Sequence, residues 1–152
     1  MAGPKQVKHS IALAVTEVGQ PDRVILVCRP LHDEDFPGMW GLPAASCKNR
    51  ENLHMAAARV GIQKLGVALE VGPVLATGTQ QRPGYNLEMT LFEAQLTGSR
   101  PALPQVDESG EGPTLYTDWR WGEAEDLGDS AEKGSLCSQL LLENRGLRTN
   151  PG

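Results

Sequence analysis

The chain has 152 residues and a formal charge of −5, a length that suits one domain able to bury roughly two-thirds of its unfolded surface. Hydrophobic residues make up 39% and charged residues 22%, as expected of a soluble globular protein. The acidic balance argues against a surface for duplex nucleic acid, which would be basic, while leaving room for a small nucleotide in a locally positive pocket. Three cysteines, Cys28, Cys47 and Cys137, are too scattered for a disulfide framework, and no Cys/His spacing suggests zinc. The N-terminal apolar run Ser10–Val15 lacks a cleavage pattern and is too short to span a bilayer. A cytoplasmic protein with no membrane partner is therefore expected.

In chain order, Ile11, Leu13 and Val15 alternate within a run from about Val7 to Val18, the period of a strand. Gly19-Gln20-Pro21-Asp22 supplies a turn. Arg23 to Arg29 (RVILVCR) is a nearly continuous apolar run, the pattern of a central strand. Residues 30–39 form a polar loop, and Gly41-Leu42-Pro43 leads through Ala44-Ala45 toward a helix. That helix should span Leu53 to Leu65, with Asn52 as N-cap and Gly66 as the terminating C′ residue. Gly61 inside it is an exception that costs about 1 kcal/mol relative to alanine.

Strands follow at Ala68–Thr79 and Asn86–Leu96, joined through Arg82-Pro83-Gly84. Residues 98–113, rich in glycine, proline and acidic side chains, read as a loop, and Thr114–Trp121 as another strand. A last amphipathic helix should start near Gly134 or Ser135 and run to about Asn144. The core should lie between about residues 5 and 146, with a frayed tail over 147–152. Strands, one helix, more strands and a helix predict an α/β architecture, a mixed sheet sandwiched between helices.

The chemistry is concentrated in Trp40–Val67, WGLPAASCKNRENLHMAAARVGIQKLGV. This segment resembles the box of the Nudix hydrolases (MutT-like), G-x5-E-x7-R-E-U-x-E-E-x-G-U, where U is apolar, and aligns with it without a gap. Ala45 stands at the first glycine, Glu51 at the loop glutamate and Arg59 at the arginine; Gly66 and Val67 close the motif. Pro37-Gly38-Met39-Trp40-Gly41-Leu42-Pro43 is similar to the lead-in of many members. The resemblance implies a Nudix-like fold over the whole chain, as one domain from 1 to 152, and a pyrophosphohydrolase acting on nucleoside diphosphate linkages. It also implies magnesium or manganese as cofactor and a homodimer as one form of assembly.

The three glutamate positions after the arginine, however, hold Val60, Gln63 and Lys64, residues whose separation places them on one helical face. Mg²⁺ demands hard oxygen ligands in near-octahedral geometry. Valine offers none, glutamine one neutral oxygen, and lysine a cation. At about 4 Å and an effective dielectric near 20, a like-charge contact costs on the order of 4 kcal/mol. Metal binding should therefore be weak, with Glu51 the one metal ligand left in the box, and family-standard hydrolysis lost or strongly impaired.

Two backbone changes point the same way. Ala44-Ala45 stand where the resembling family has a glycine pair, so if either glycine takes positive φ there, alanine must be strained or the loop must move. Gly61 replaces an apolar residue and should remove packing beneath the helix.

Several roles stay open. Glu51 and Arg59 are the box's candidate catalytic positions; Glu51 could instead favour the helix's positive end, and Arg59 could brace the loop. Lys64 could bind phosphate as a point charge or be a solvated lysine. Trp40 could pack or serve as a base platform. Trp119 and Trp121 should share one strand face, with Arg120 on the other. Glu70, Glu88 and Glu93 lie outside the box, with Glu88 and Glu93 on opposite strand faces. Glu123, Glu125 and Asp126 could supply a substitute metal ligand or form a solvated loop.

A domain that binds a nucleotide, another phosphorylated small molecule or a protein partner without efficient hydrolysis is the leading expectation. An active pyrophosphohydrolase using carboxylates outside the box and a structural, dimerising subunit are the alternatives.

Overall fold

A computed structural model describes residues 6–104 and 115–147. Strand β1 (Gln6–Thr16) is followed by β2 (Val24–Cys28), β3 (Trp40–Gly41) and β4 (Ala44–Ser46). Helix α1 (Leu53–Val60) continues as a π-helical turn, Gly61–Leu65. Then come β5 (Leu69–Arg82), β6 (Tyr85–Leu96), β7 (Asp118–Gly122), a 3₁₀ turn (Ala124–Leu127), α2 (Gly128–Glu132) and α3 (Leu136–Asn144). No helix among the described residues is long and apolar enough to cross a membrane.

Strand β1 organises the molecule because it is apolar on both faces from Ile11 to Val15. In a four-stranded sheet ordered β4-β1-β6-β5 it pairs in parallel with β6 and antiparallel with β4. Ile11, Leu13 and Val15 enter a core with Ala56, Ala57 and Val60 of α1, whereas Ala12 and Ala14 pack on the other side with Leu136, Leu140 and Leu141 of α3. Strand β2 divides its side chains in the same way: Ile25 and Val27 join the first core, Val24 and Leu26 the second. It is the middle strand of an antiparallel sheet ordered β3-β2-β7. A strand buried on both faces reads as a continuous apolar run, which explains RVILVCR. The α/β expectation holds, with the strands divided between two sheets.

Helix α1 begins as expected: Asn52 Oδ1 accepts from Met55 N at 2.8 Å. The π-helical turn that continues it ends at Gly66, left-handed at φ 66°, where a side chain would run into the Ala102 carbonyl.

Three expectations are corrected. Ala44 and Ala45 do not lead directly into a helix; they form β4, opposite Ala12 and Ile11. Among described non-glycine residues only Arg50 has positive φ, at 65°, so the alanines are not strained: an extended strand accepts any L side chain. Glu125 and Asp126, read as a substitute metal ligand or a solvated loop, lie instead in a helical stretch from Ala124 to Glu132, opened by a reciprocal capping box between Glu123 and Asp126.

The third correction concerns Gly61, which leaves no packing defect. A Cβ there would stand 2.8 Å from Leu69 Cγ and 2.9 Å from the Val67 carbonyl oxygen. Leu69 occupies the space, and the Gly61 carbonyl accepts from both Gly66 N and Val67 N. The predicted strand at 114–121 starts at Asp118; residue 114, most of the predicted loop (105–113) and the tail from 148 lie outside the described residues.

Gly61→Ala is expected to destabilise the protein by about 1–3 kcal/mol through overpacking, despite alanine's higher helix propensity. Gly128→Ala, where nothing lies within 4 Å of the added Cβ, should be neutral or stabilising by up to about 1 kcal/mol. Urea denaturation of both variants tests this; a neutral Gly61→Ala would refute the packing account.

Candidate functional site

Of the box positions, Ala45, Arg59 and Lys64 line one wall of a cleft of about 560 Å³ bounded by β1, β4, β6, the π-helical turn and the start of α3. Two knots of polar contacts build that wall.

The first joins Glu51 to Arg59. Arg59 donates from Nε to Glu51 Oε2 at 2.8 Å and from Nη2 to Oε1 at 2.9 Å, a bidentate fork. The same Nη2 reaches the Ser46 carbonyl at 2.9 Å, and Nη1 donates to Gln63 Oε1 at 3.3 Å. Glu51 Oε1 also accepts from Lys48 N at 3.0 Å. Hydrogen bonds from Arg59, then from Lys48 N, hold the Glu51 carboxyl down at about 2. The geometry is that of a brace between the loop after β4 and helix α1.

The second knot is centred on the Ala44 carbonyl. Lys64 is 7% exposed, and its Nζ donates to Ala44 O at 2.6 Å. Tyr116, 1% exposed, donates its hydroxyl to the same oxygen at 3.2 Å and accepts from Ala44 N at 2.9 Å. The ammonium lies 5.3 Å from the Tyr116 ring centroid, within cation–π range. No carboxylate of the described residues pairs with Lys64. Burial, then repulsion from Arg29 and Arg59, pushes Lys64 down to about 8, with Asp33 opposing; burial pushes the Tyr116 hydroxyl up to about 12.

Val60, Gln63 and Lys64 do not share one exposed face. Val60 is in the core, Gln63 is exposed and Lys64 is buried but open to the cleft. The π-helical turn alters the angular spacing beyond Val60, so the α-helical relation used for the sequence fails there.

Around Lys64 the cleft is lined by Lys8, Arg29, Lys48, Arg59 and Arg82, against one acidic lining residue among those described, Asp35. Arg29 is engaged by Asp33, at 3.1 Å and 3.3 Å. Lys8 lies 4.4 Å from the Tyr85 ring centroid, and Arg82 Nε donates to Gln80. A net-negative chain thus places six of its fourteen Lys and Arg residues around one concavity, where the field favours an anion.

Other candidate residues lie apart. Trp40 is not in the cleft lining; the Arg120 guanidinium stands 4.6 Å from its ring centroid, and its carbonyl accepts from Ser130 Oγ. Trp119 and Trp121 meet edge to face, centroids 6.1 Å apart, on the α1 side of the core. Glu88 pairs with His9 at 3.1 Å. Glu123 and Glu125 line a different hollow with Asp22 and Arg145, so they do not converge with Glu51.

A divalent cation does not fit these residues. Among the described residues no group of three or more His, Cys, Asp or Glu side chains could hold one. Both Glu51 oxygens are engaged by Arg59, and Lys64 brings positive charge to the wall.

Sequence reasoning missed Tyr116 and the outer cations. Tyr116 belongs to no motif, and its link to Ala44 spans 72 positions. Arg29 carried a usable signal, a guanidinium directly after an apolar strand, where it can close a pocket.

No protein-family model and no curated protein sequence matches the chain. Solved structures do. A MutT protein from Methanosarcina mazei Go1 superposes with TM-score 0.72 at 13% identity, covering 95% of this chain and 97% of that one. A MutT Nudix hydrolase from Burkholderia pseudomallei gives 0.62 at 22% identity over 81% and 88%. A C. elegans Ap4A hydrolase gives 0.65 at 16% identity over 91% and 96%. The chain has the fold of the Nudix hydrolases.

Lys64 sets a sign for the pH dependence of stability. Its folded pKa lies below its ordinary value of 10.5, so between about pH 8 and 10.5 the unfolded state binds more protons and stability rises with pH. Tyr116, shifted the other way from 10, opposes this only above about pH 10. Lys64→Met should therefore be more stable than the parent at pH 7, and the gap should shrink by about 2–3 kcal/mol by pH 10. Denaturation at both pH values measures it; a gap independent of pH would show that Lys64 is not desolvated.

Proposed function

We propose that this chain is a Nudix-fold binding module that takes a phosphorylated small molecule into the Lys64 cleft without metal-dependent hydrolysis. The observation carrying this reading is the Lys64 ammonium, buried against the Ala44 carbonyl on the wall where the box resemblance expects metal-binding carboxylates. A lysine supports binding because it is a point charge that attracts phosphate without a metal. It does not replace a metal in lowering the pKa of a bound water to create a nucleophile. Commitment of Glu51 to Arg59 supports the same reading, since a carboxylate held in a bidentate pair is a poor base and a poor ligand.

Diphosphate-linked nucleotides are the first ligands to try. Two proteins of the same fold are an Ap4A hydrolase and an ADP-ribose pyrophosphatase, and the cleft volume of about 560 Å³ falls within the range of small-molecule sites. Arg29 and Lys64 at the inner wall would meet phosphate, with Lys8, Lys48 and Arg82 completing the positive lining.

ADP-ribose, Ap4A and inorganic pyrophosphate, tested by calorimetry with and without Mg²⁺, should include at least one ligand whose affinity does not require the metal. Lys64→Met should weaken its binding at least tenfold, about 1.4 kcal/mol. Phosphate release with Mg²⁺ or Mn²⁺ should stay at the no-enzyme rate. Robust metal-dependent turnover that Glu51→Gln abolishes would overturn the proposal.

A further inference from the structure

Lys64 combines features that binding alone does not require. Its amine is buried yet opens to the cleft, and no described carboxylate pairs with it. The charged groups that act on it are Arg29 after β2, Arg59 on α1 and, with opposite sign, Asp33 in the loop after β2. Tyr116 faces it across the shared Ala44 carbonyl and remains a protonated hydroxyl. An amine removed from water beside other cations carries an appreciable neutral fraction near neutral pH, and a neutral amine is a nucleophile. Lys8, Lys48 and Arg82, which line the cleft without a described carboxylate partner, would hold a phosphate beside it. The cleft thus joins an anion-binding lining to a buried amine.

We infer that Lys64 is a reversible covalent site for phosphorylated aldehydes, including open-chain sugar phosphates, which it captures as an imine. The inference rests on the anion-binding reading of the cleft and adds a chemical class to it. In the step, the neutral Nζ attacks the aldehyde carbon, forming a C–N bond while the carbonyl π bond becomes a hydroxyl. The carbinolamine then loses that hydroxyl, and the two protons originally on nitrogen leave with the oxygen as water. The product is a C=N linkage, with no change of oxidation state and no further reactant. The Ala44 carbonyl at 2.6 Å fixes where the amine starts, and phosphate binding at the lining raises the local concentration of the aldehyde.

Pyridoxal 5′-phosphate is a suitable probe because it carries both groups. Incubated with the full chain and trapped with sodium cyanoborohydride, it should add once, at Lys64, at least tenfold faster than at Lys8, Lys48 or Lys133, as read by intact mass and peptide mapping. Excess inorganic pyrophosphate should slow the reaction at least tenfold, and pyridoxal lacking phosphate should react at least tenfold more slowly. Lys64→Arg keeps the charge and removes the nucleophile; it should lose the adduct.

Labelling spread over the surface lysines, or no preference for Lys64 in the parent chain, would overturn the inference, and neither result depends on a variant folding. If pyrophosphate raises the parent's melting temperature but no Lys64 adduct forms, only the imine chemistry fails. If pyrophosphate neither stabilises the parent nor protects Lys64, the anion-binding reading fails with it.

Discussion

The carbonyl of Ala44 accepts hydrogen bonds from two side chains distant from it and from each other in sequence, the Lys64 ammonium and the Tyr116 hydroxyl. Strand β4 contains only three residues, and this oxygen ties it to the π-helical turn and to the segment entering β7. Without those bonds a carbonyl buried beside α1 would lose its partners, a cost of about 1–3 kcal/mol. With them, β4 is held along β1 and the cleft acquires a fixed back wall. The Glu51–Arg59 fork anchors the other end of the same stretch, because Arg59 also reaches the Ser46 carbonyl, two residues beyond Ala44. Residues 44–51 are thereby pinned at both ends.

Burying Lys64 is not the cheapest way to build that wall. An ammonium out of water and away from any carboxylate is costly, and an apolar side chain of similar length would fill the space with no charge to desolvate. The cation–π contact with Tyr116 and the short bond to Ala44 offset part of the cost. Natural proteins tolerate such local instability where a site needs it. The concentration of further cations around the same cleft, in a chain that is acidic as a whole, fits a site for anions better than it fits a packing solution.

The fold was largely legible in the sequence because its central elements carry strong periodic signals. Alternation in Ile11, Leu13 and Val15, the unbroken apolar RVILVCR, and the Asn52 and Gly66 caps each follow from local rules and each appears in the structure. The failures share one cause: a partner distant in sequence. Nothing local to Gly61 reveals that Leu69 occupies the space where its Cβ would be. Nothing local to Ala44 reveals that β1 pairs with it. Within the site, the Glu51–Arg59 brace could be anticipated from the box, whereas the burial of Lys64 depended on a π-helical turn that no spacing rule predicts. Tyr116 was invisible because its function depends on a contact spanning 72 positions.

Replacing a divalent metal by an amine changes which part of phosphate chemistry a site can perform. A magnesium ion contributes charge, several coordination positions and an activated water; a lysine contributes charge and three rotatable donors. The electrostatic attraction for phosphate survives that exchange, and it no longer requires the metal to shed its own water. Activation of water does not survive, because an ammonium has no open coordination position. What the lysine brings instead is a nitrogen that becomes nucleophilic when it loses its proton, and burial next to Arg29 and Arg59 favours that loss. On the proposed reading, the wall that in the box pattern would hold a hydrolytic metal serves, with Lys64, to retain a phosphorylated ligand rather than to cut it.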